Sequence, residues 1–159
     1  MENTAYIGLE VESLKGLSYK LNDLLCNYQL FYMNLRGFHW NIKGDKFFEL
    51  HAKFEELYND SLEKIDVIAE RIKTLGFTPT HAFSDYIEIS KVKEVKNLGD
   101  GKAAVESILD SLKIIISIER EVLEFSVEAN DEGTNALMSD YLRGLEKHVW
   151  MFNAYLGEK

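Results

Sequence analysis

His51, Glu55, Asp66 and Glu70 fall within a single stretch, FFELHAKFEELYNDSLEKIDVIAERIKTLG, and each carries a side chain that ligates metal ions. Imidazole and carboxylate together suit divalent iron, and zinc as well. The stretch reads as one helix. At ~100° per residue, Glu55 stands about 40° from His51, Asp66 about 60° and Glu70 about 100°, so all four project from one face. Along the axis Asp66 lies about 22 Å beyond His51 at ~1.5 Å per residue, whereas ligand bonds are only about 2 Å long. No single ion spans that gap. The helix therefore carries two half-sites. Two copies packed antiparallel about a two-fold axis would set His51 and Glu55 of one chain against Asp66 and Glu70 of the other, building two complete sites.

His39 lies twelve residues before His51, across a short turn containing Gly44, and could join it at the end of the bundle. The candidate ligand set is then His39, His51 and Glu55 from one chain with Asp66 and Glu70 from its partner. On spacing alone two other readings stay open: charged residues at helical spacing are usually a solvated face, and a histidine beside an apolar stripe is usually a hydrogen-bonded boundary residue. A di-iron centre inside one bundle needs Glu-x-x-His pairs on two helices, and the chain has none; Glu146 and His148 are two apart. His81 is expected in a loop. His148 is expected near a helix C-terminus, where a cation is favoured. Met33, Met138 and Met151 read as core fillers, and Cys26 as a buried small hydrophobe.

The elements that must position these residues are helices. Leu14, Leu17, Leu21, Leu24, Tyr28, Phe31, Leu35 and Phe38 recur at steps of three and four, which predicts a first long helix. The second should open at Asp45 as N-cap and stop at Gly76 and Pro79. Residues 77–99 form a long connection with a helical patch at 84–92. Asp100 can cap a third helix whose centre, LKIIISI, should be deeply buried. The turn NDEGT at 130–134 leads to a fourth, striped by Met138, Leu142, Leu145, Val149, Phe152 and Leu156. Four long helices with one long crossover between the second and third make an all-α, ferritin-like four-helix bundle, here taken as one domain over 1–159.

Composition limits the function classes. A net charge of −9 argues against a nucleic-acid face and suits a collector of cations. One cysteine allows no intrachain disulfide. The N-terminus lacks the pattern of a signal peptide, and the longest apolar run, IIISI at 114–118, is too short to span a bilayer. The expectation is a soluble cytoplasmic protein.

The segment HWNIKGDKFFELHAKFEELYNDSLEKIDVIAERI, residues 39–72, closely resembles the signature of the Dps family of ferritin-like mini-ferritins. The acidic turn at 130–134 and EKHVWMFNAYL at 146–156 are similar to the family's last helix, so the resemblance covers nearly the whole chain. It implies a shell of twelve subunits with ferroxidase sites between two-fold-related copies. It further implies oxidation of ferrous iron, preferentially by hydrogen peroxide, and storage of ferric mineral inside, with protection against oxidative stress. Carried over, the site is His39, His51, Glu55, Asp66 and Glu70. Glu55 is the less secure member, because the family varies there between Asp and Glu. Trp40 becomes a nearby aromatic open to oxidation, and Glu56 and Asp60 become candidates for nucleating mineral. No organic cofactor is implied.

The chain departs from DNA-binding members of that family. Their device is a mobile Lys/Arg-rich tail, whereas the first sixteen residues here hold one Lys and three Glu and the C-terminus is only GEK. Weak DNA binding is expected. Glu128, Asp131, Glu132 and Asp140 are candidates for a negatively lined pore. The rival readings are a nucleoid-binding structural protein and a passive buffer of divalent metal.

Overall fold

The computed structural model describes residues 2–157, so Met1, Glu158 and Lys159, the last two belonging to the C-terminal GEK, lie outside it. Its elements in chain order are α1 (Glu2–Tyr6), α2 (Val11–Asn41), α3 (Phe47–Thr74), α4 (Phe83–Ile89), α5 (Gly101–Glu128) and α6 (Glu132–Leu156). There is no strand among the described residues. The four long helices are the expected bundle, and α4 is the short helix in the crossover. The N-terminal turn α1 was not foreseen. Among the described residues, no helix is long and apolar enough to cross a membrane.

The apolar stripes meet in a continuous core. Leu14, Leu17, Leu21, Leu24, Tyr28, Phe31 and Leu35 of α2 are buried against Phe54, Ile68 and Ile72 of α3, Ile108, Leu112 and Ile115 of α5, and Met138 of α6. Truncating such a fully buried Leu or Ile costs about 2–5 kcal/mol. The LKIIISI segment is less enclosed than expected: Leu112, Ile115 and Ile118 are buried, Ile114 and Ile116 are half-buried, and Ser117 is exposed. Gly16 lets α2 pass close to α5, since a Cβ there would stand 2.7 Å from the Phe125 ring.

Chain ends of the helices follow local chemistry. Asp100 caps α5 as expected, its carboxylate accepting from the Ala103 amide at 2.8 Å. The second long helix does not begin at Asp45. Gly44 adopts φ +105°, the Phe47 amide donates to the Gly44 carbonyl at 3.2 Å, and α3 starts after Lys46 with no side-chain cap. Asp45 thus sits inside the turn, one position too early to reach the first free amides. Gly76, with φ +87°, ends α3 as expected.

The long crossover is fastened to α2 by three asparagines. Asn22 Oδ1 accepts from the Thr80 amide at 2.7 Å. Asn27 Oδ1 accepts from the Lys91 and Val92 amides, each at 3.0 Å. Asn34 accepts from the Val95 amide at 3.0 Å and donates to the Lys93 carbonyl at 2.8 Å. These side chains satisfy backbone groups of an otherwise irregular segment.

Candidate metal centre

His39 ends α2 and His51 opens α3, and the short link between the helices folds the two imidazoles onto each other. Their rings stack with centroids 3.7 Å apart and planes 21° apart. Each histidine is tied to the other's backbone: His39 Nδ1 lies 2.8 Å from the His51 carbonyl, and His51 Nδ1 lies 2.9 Å from the His39 carbonyl. A carbonyl only accepts, so both Nδ1 atoms carry the proton and donate. The reciprocal pair arises because α2 is ending. The Lys43 amide, which would otherwise close on the His39 carbonyl, donates instead to Gly99 at 3.0 Å.

This double clasp leaves both Nε2 lone pairs for a metal ion, and fixes the tautomer as the outer hydrogen bonds of metal-ligating histidines do. Glu55 is one turn beyond His51. One ligand atom from each of His39, His51 and Glu55 lies within 4.8 Å of the other two. His39 is only 8% exposed, His51 is half-buried and Glu55 is open to solvent. Two neutral imidazoles and a carboxylate fit a divalent first-row ion.

Aromatic rings enclose the histidines. Phe47 stacks on His51 at 5.0 Å, and Tyr58 meets His39 edge-on at 5.3 Å. Neither was expected at the site from sequence, although Phe47 and Tyr58 stand at i−4 and i+7 from His51, on its own face of α3. Trp40 is 55% exposed, with the Arg36 guanidinium 4.6 Å above its ring.

Asp66 and Glu70 lie on the same unbroken α3, both exposed. Among the described residues, no grouping of three metal-ligating side chains includes them. Of the five candidate ligands, a single chain therefore brings together three and leaves two apart.

Several other expectations change. Asp131 is not a pore residue: it is buried, caps α6 through the Thr134 amide at 3.1 Å, and pairs with Arg71 at 2.5 Å. A turn acid that caps a helix looks in sequence like one that faces water. His148 is not a helix-end cation; burial among Leu50, Lys53 and Phe152 pushes its pKa down, and its Nδ1 has no partner. Met138 is buried, whereas Met33 and Met151 are exposed. Cys26 is buried, and desolvation pushes its thiol up to about 11, which keeps it protonated and inert.

A sequence profile described as a ferritin-like domain matches residues 19–159. The DNA protection during starvation protein of Porphyromonas gingivalis is 43% identical over 93% of this chain and 93% of its own length. Its counterpart in Bacillus anthracis, DNA protection during starvation protein 2, is 36% identical over 87% of this chain and 94% of its own. The crystal structure of a Dps protein from Vibrio cholerae O1, described as a member of a broad superfamily of ferritin-like diiron-carboxylate proteins, superposes with a TM-score of 0.92. It shares 51% identity, with 94% of each chain covered.

The chain belongs to the Dps family of ferritin-like proteins. That membership brings a general role in iron storage and iron oxidation, and agrees with the His/Glu grouping at the α2–α3 end.

Proposed function

We propose that this Dps protein is a ferroxidase and iron store, with each oxidation site shared by two subunits. His39, His51 and Glu55 of one copy hold ferrous iron together with Asp66 and Glu70 of a two-fold-related copy. The observation that carries the reading is the asymmetry along α3. Two clasped imidazoles and Glu55 converge at one end, while two bare carboxylates stand about 22 Å further on at ~1.5 Å per residue. An antiparallel pair of such helices makes both ends whole.

In this reading iron is the substrate. Two ferrous ions give one electron each to a single hydrogen peroxide, whose O–O bond breaks to yield two hydroxides. Taking both electrons in one event avoids the one-electron route to hydroxyl radical. Hydrolysis of the ferric products releases protons, and the mineral collects in a hollow shell of twelve subunits. This protects a cytoplasmic protein's surroundings from oxidative stress. The Nδ1–carbonyl clasp holds the imidazoles in the ligating tautomer throughout. Trp40, at the exposed edge beside His39, is the residue oxidised when an electron is left unmatched. The acidic chain and its Lys-poor N-terminal segment support weak DNA binding.

The test is anaerobic loading with ferrous iron followed by stopped-flow absorbance after adding hydrogen peroxide or oxygen. Fast oxidation at two irons per peroxide, with soluble ferric product, is expected. Metal binding without accelerated oxidation would leave a passive buffer and overturn the assignment. DNA retardation that survives moderate salt would favour the nucleoid-binding reading.

A further inference from the structure

Ring contacts lead away from His39 in one direction. Besides the stacked His51, the ring packed on His39 among the described residues is Tyr58 of α3, which meets it edge-on at 5.3 Å. Tyr58 in turn meets Tyr32 of α2 edge-on, with centroids 6.3 Å apart and planes at 82°. Arg36, one turn further along α2, donates from Nη1 to the Tyr32 hydroxyl oxygen at 3.3 Å, and its guanidinium lies 5.5 Å from the centroid of that ring. The same guanidinium stands 4.6 Å over the ring of Trp40. Tyr58, Tyr32 and Arg36 are half-buried and Trp40 is exposed, so the row runs from an enclosed imidazole to the surface.

Packing accounts for the rings but not for their types. Edge-on pairs are favourable for phenylalanine as well as tyrosine, and Phe47 already fills that role beside His51. What a phenol or an indole adds is an electron that a strong oxidant can remove, which a phenyl ring does not yield. The remaining phenol on this stretch of α2, Tyr28, is sealed in the core, its hydroxyl donating to the buried Glu119 of α5 at 2.8 Å. Among the described residues no ring contact joins it to Tyr32, so the contacts lead outward, to Trp40.

We propose that Tyr58 and Tyr32 form a radical relay, which carries a one-electron oxidising equivalent from the His39 side of the metal centre to Trp40 and so spares the ligating imidazoles. The oxidant is hydroxyl radical, made when a single reducing metal ion gives one electron to hydrogen peroxide. Tyr58 loses one electron through the His39 contact and its phenolic proton to water; the hydroxyl radical takes one electron and one proton and becomes water. Tyr32 then supplies an electron to the Tyr58 radical, which regains a proton from water, and Tyr32 releases its own. Trp40 restores Tyr32 in the same way and loses its indole N–H proton. The sum converts hydroxyl radical and Trp40 into water and a neutral indolyl radical. The fixed charge of Arg36 beside both rings disfavours a radical cation on either, so each proton leaves with its electron. The supply of ferrous iron and peroxide to this route rests on the ferroxidase reading; the route itself stands on the ring contacts.

The experiment therefore makes the radical without iron. Assembled protein is loaded with Cu²⁺, which imidazole binds more tightly than other divalent first-row ions. Ascorbate reduces the bound ion to Cu⁺, and Cu⁺ gives one electron to added hydrogen peroxide, leaving Cu²⁺, hydroxide and hydroxyl radical. Peptide mass spectrometry then locates the oxidised side chains. Failure of the ferroxidase assignment would leave this pattern unchanged. Trp40 is expected to carry most of the oxidation, with His39 and His51 largely intact. Tyr58→Phe keeps the ring but not the phenol. It should cut Trp40 oxidation several-fold and move the damage to His39 and His51. Tyr32→Phe should spare Trp40 equally and strand the oxidation on Tyr58. Replacing His39 and His51 together by alanine should abolish the pattern. Trp40 oxidised to the same extent in both Tyr→Phe proteins would overturn the proposal. So would damage concentrated on the histidines of the unsubstituted protein, oxidation at Tyr28 in place of Trp40, or survival of the pattern without the two histidines.

Discussion

In the N-terminal half of α3, His51 is held by a carbonyl of α2, stacked on His39 and flanked by Phe47, all within one chain. In the C-terminal half, Asp66 and Glu70 project into solvent with no third ligating side chain beside them among the described residues. The two halves belong to one continuous helix and carry the same kind of chemistry, yet only the first is preorganised. Rigid imidazoles suit that task, since a fixed tautomer and ring orientation set the position of the first ion. Exposed carboxylates keep their hydration until a partner approaches. Under the proposed shared site, the difference assigns completion of the site to assembly rather than to folding of one chain.

The largest effect expected breaks that comparison from both sides. His51→Ala and Asp66→Ala should each slow iron oxidation by at least ~100-fold, the upper end of what losing a mere orienting group costs in such sites. They should differ in binding. Anaerobic ferrous titration should show a residual first ion on the Asp66→Ala protein and none on His51→Ala.

A second effect concerns how the acidic half is held. Beside Glu70, Arg71 donates through Nε to Thr134 Oγ1 at 2.9 Å and pairs with the buried Asp131. The backbone of the acidic half is thus anchored although its ligands are not. Asp131→Ala removes an ion pair and an N-cap together and should destabilise the protein by about 3 kcal/mol, read by denaturant unfolding. First-ion binding at the His39–His51 end should be unaffected.

A third contrast sets the open site against the closed core. Glu119 is raised from 4.5 to about 7 by desolvation. A carboxyl whose folded value lies above its unfolded value holds its proton more tightly when folded. Its contribution to stability is therefore full below pH 4.5 and is lost as pH rises to about 7. The loss is on the order of 3 kcal/mol at ~1.36 kcal/mol per unit. Glu119→Gln should flatten the thermal-stability profile across that window. Tyr28→Phe, which removes the hydroxyl that donates to Glu119, should cost only about 1 kcal/mol, and should push the carboxyl midpoint further up. Smallest of all is Trp40→Phe. It should leave the first oxidation nearly unchanged and remove an aromatic radical signal seen under excess peroxide.

The long helices and the face shared by His51, Glu55, Asp66 and Glu70 were legible because helical periodicity is local. So was the Asp100 cap, whose partner lies three residues away. Asn27 and Asn34 were not, because their partners lie some sixty residues on, in an irregular segment with no period of its own. His39 and His51 were legible as neighbours across a short turn, but the exchange of hydrogen bonds depends on which carbonyl the ending helix leaves free. Asp131 was misread because charge alone does not separate a cap from a solvated acid. Glu119, one of two acids within SIEREV, gave no sign that it points inward rather than out.

Neither half of α3 is a working site alone if the oxidation site is shared. The most direct test dissociates His51→Ala and Asp66→Ala proteins, mixes them, reassembles the shells and measures ferrous oxidation. A two-fold pair of unlike subunits keeps one intact site, with His51 and Asp66 both supplied, and loses both in the other. Partial recovery in the mixture, absent from either parent treated identically, is the predicted result. Mixed shells that assemble normally and never recover oxidation would contradict a site built from two chains.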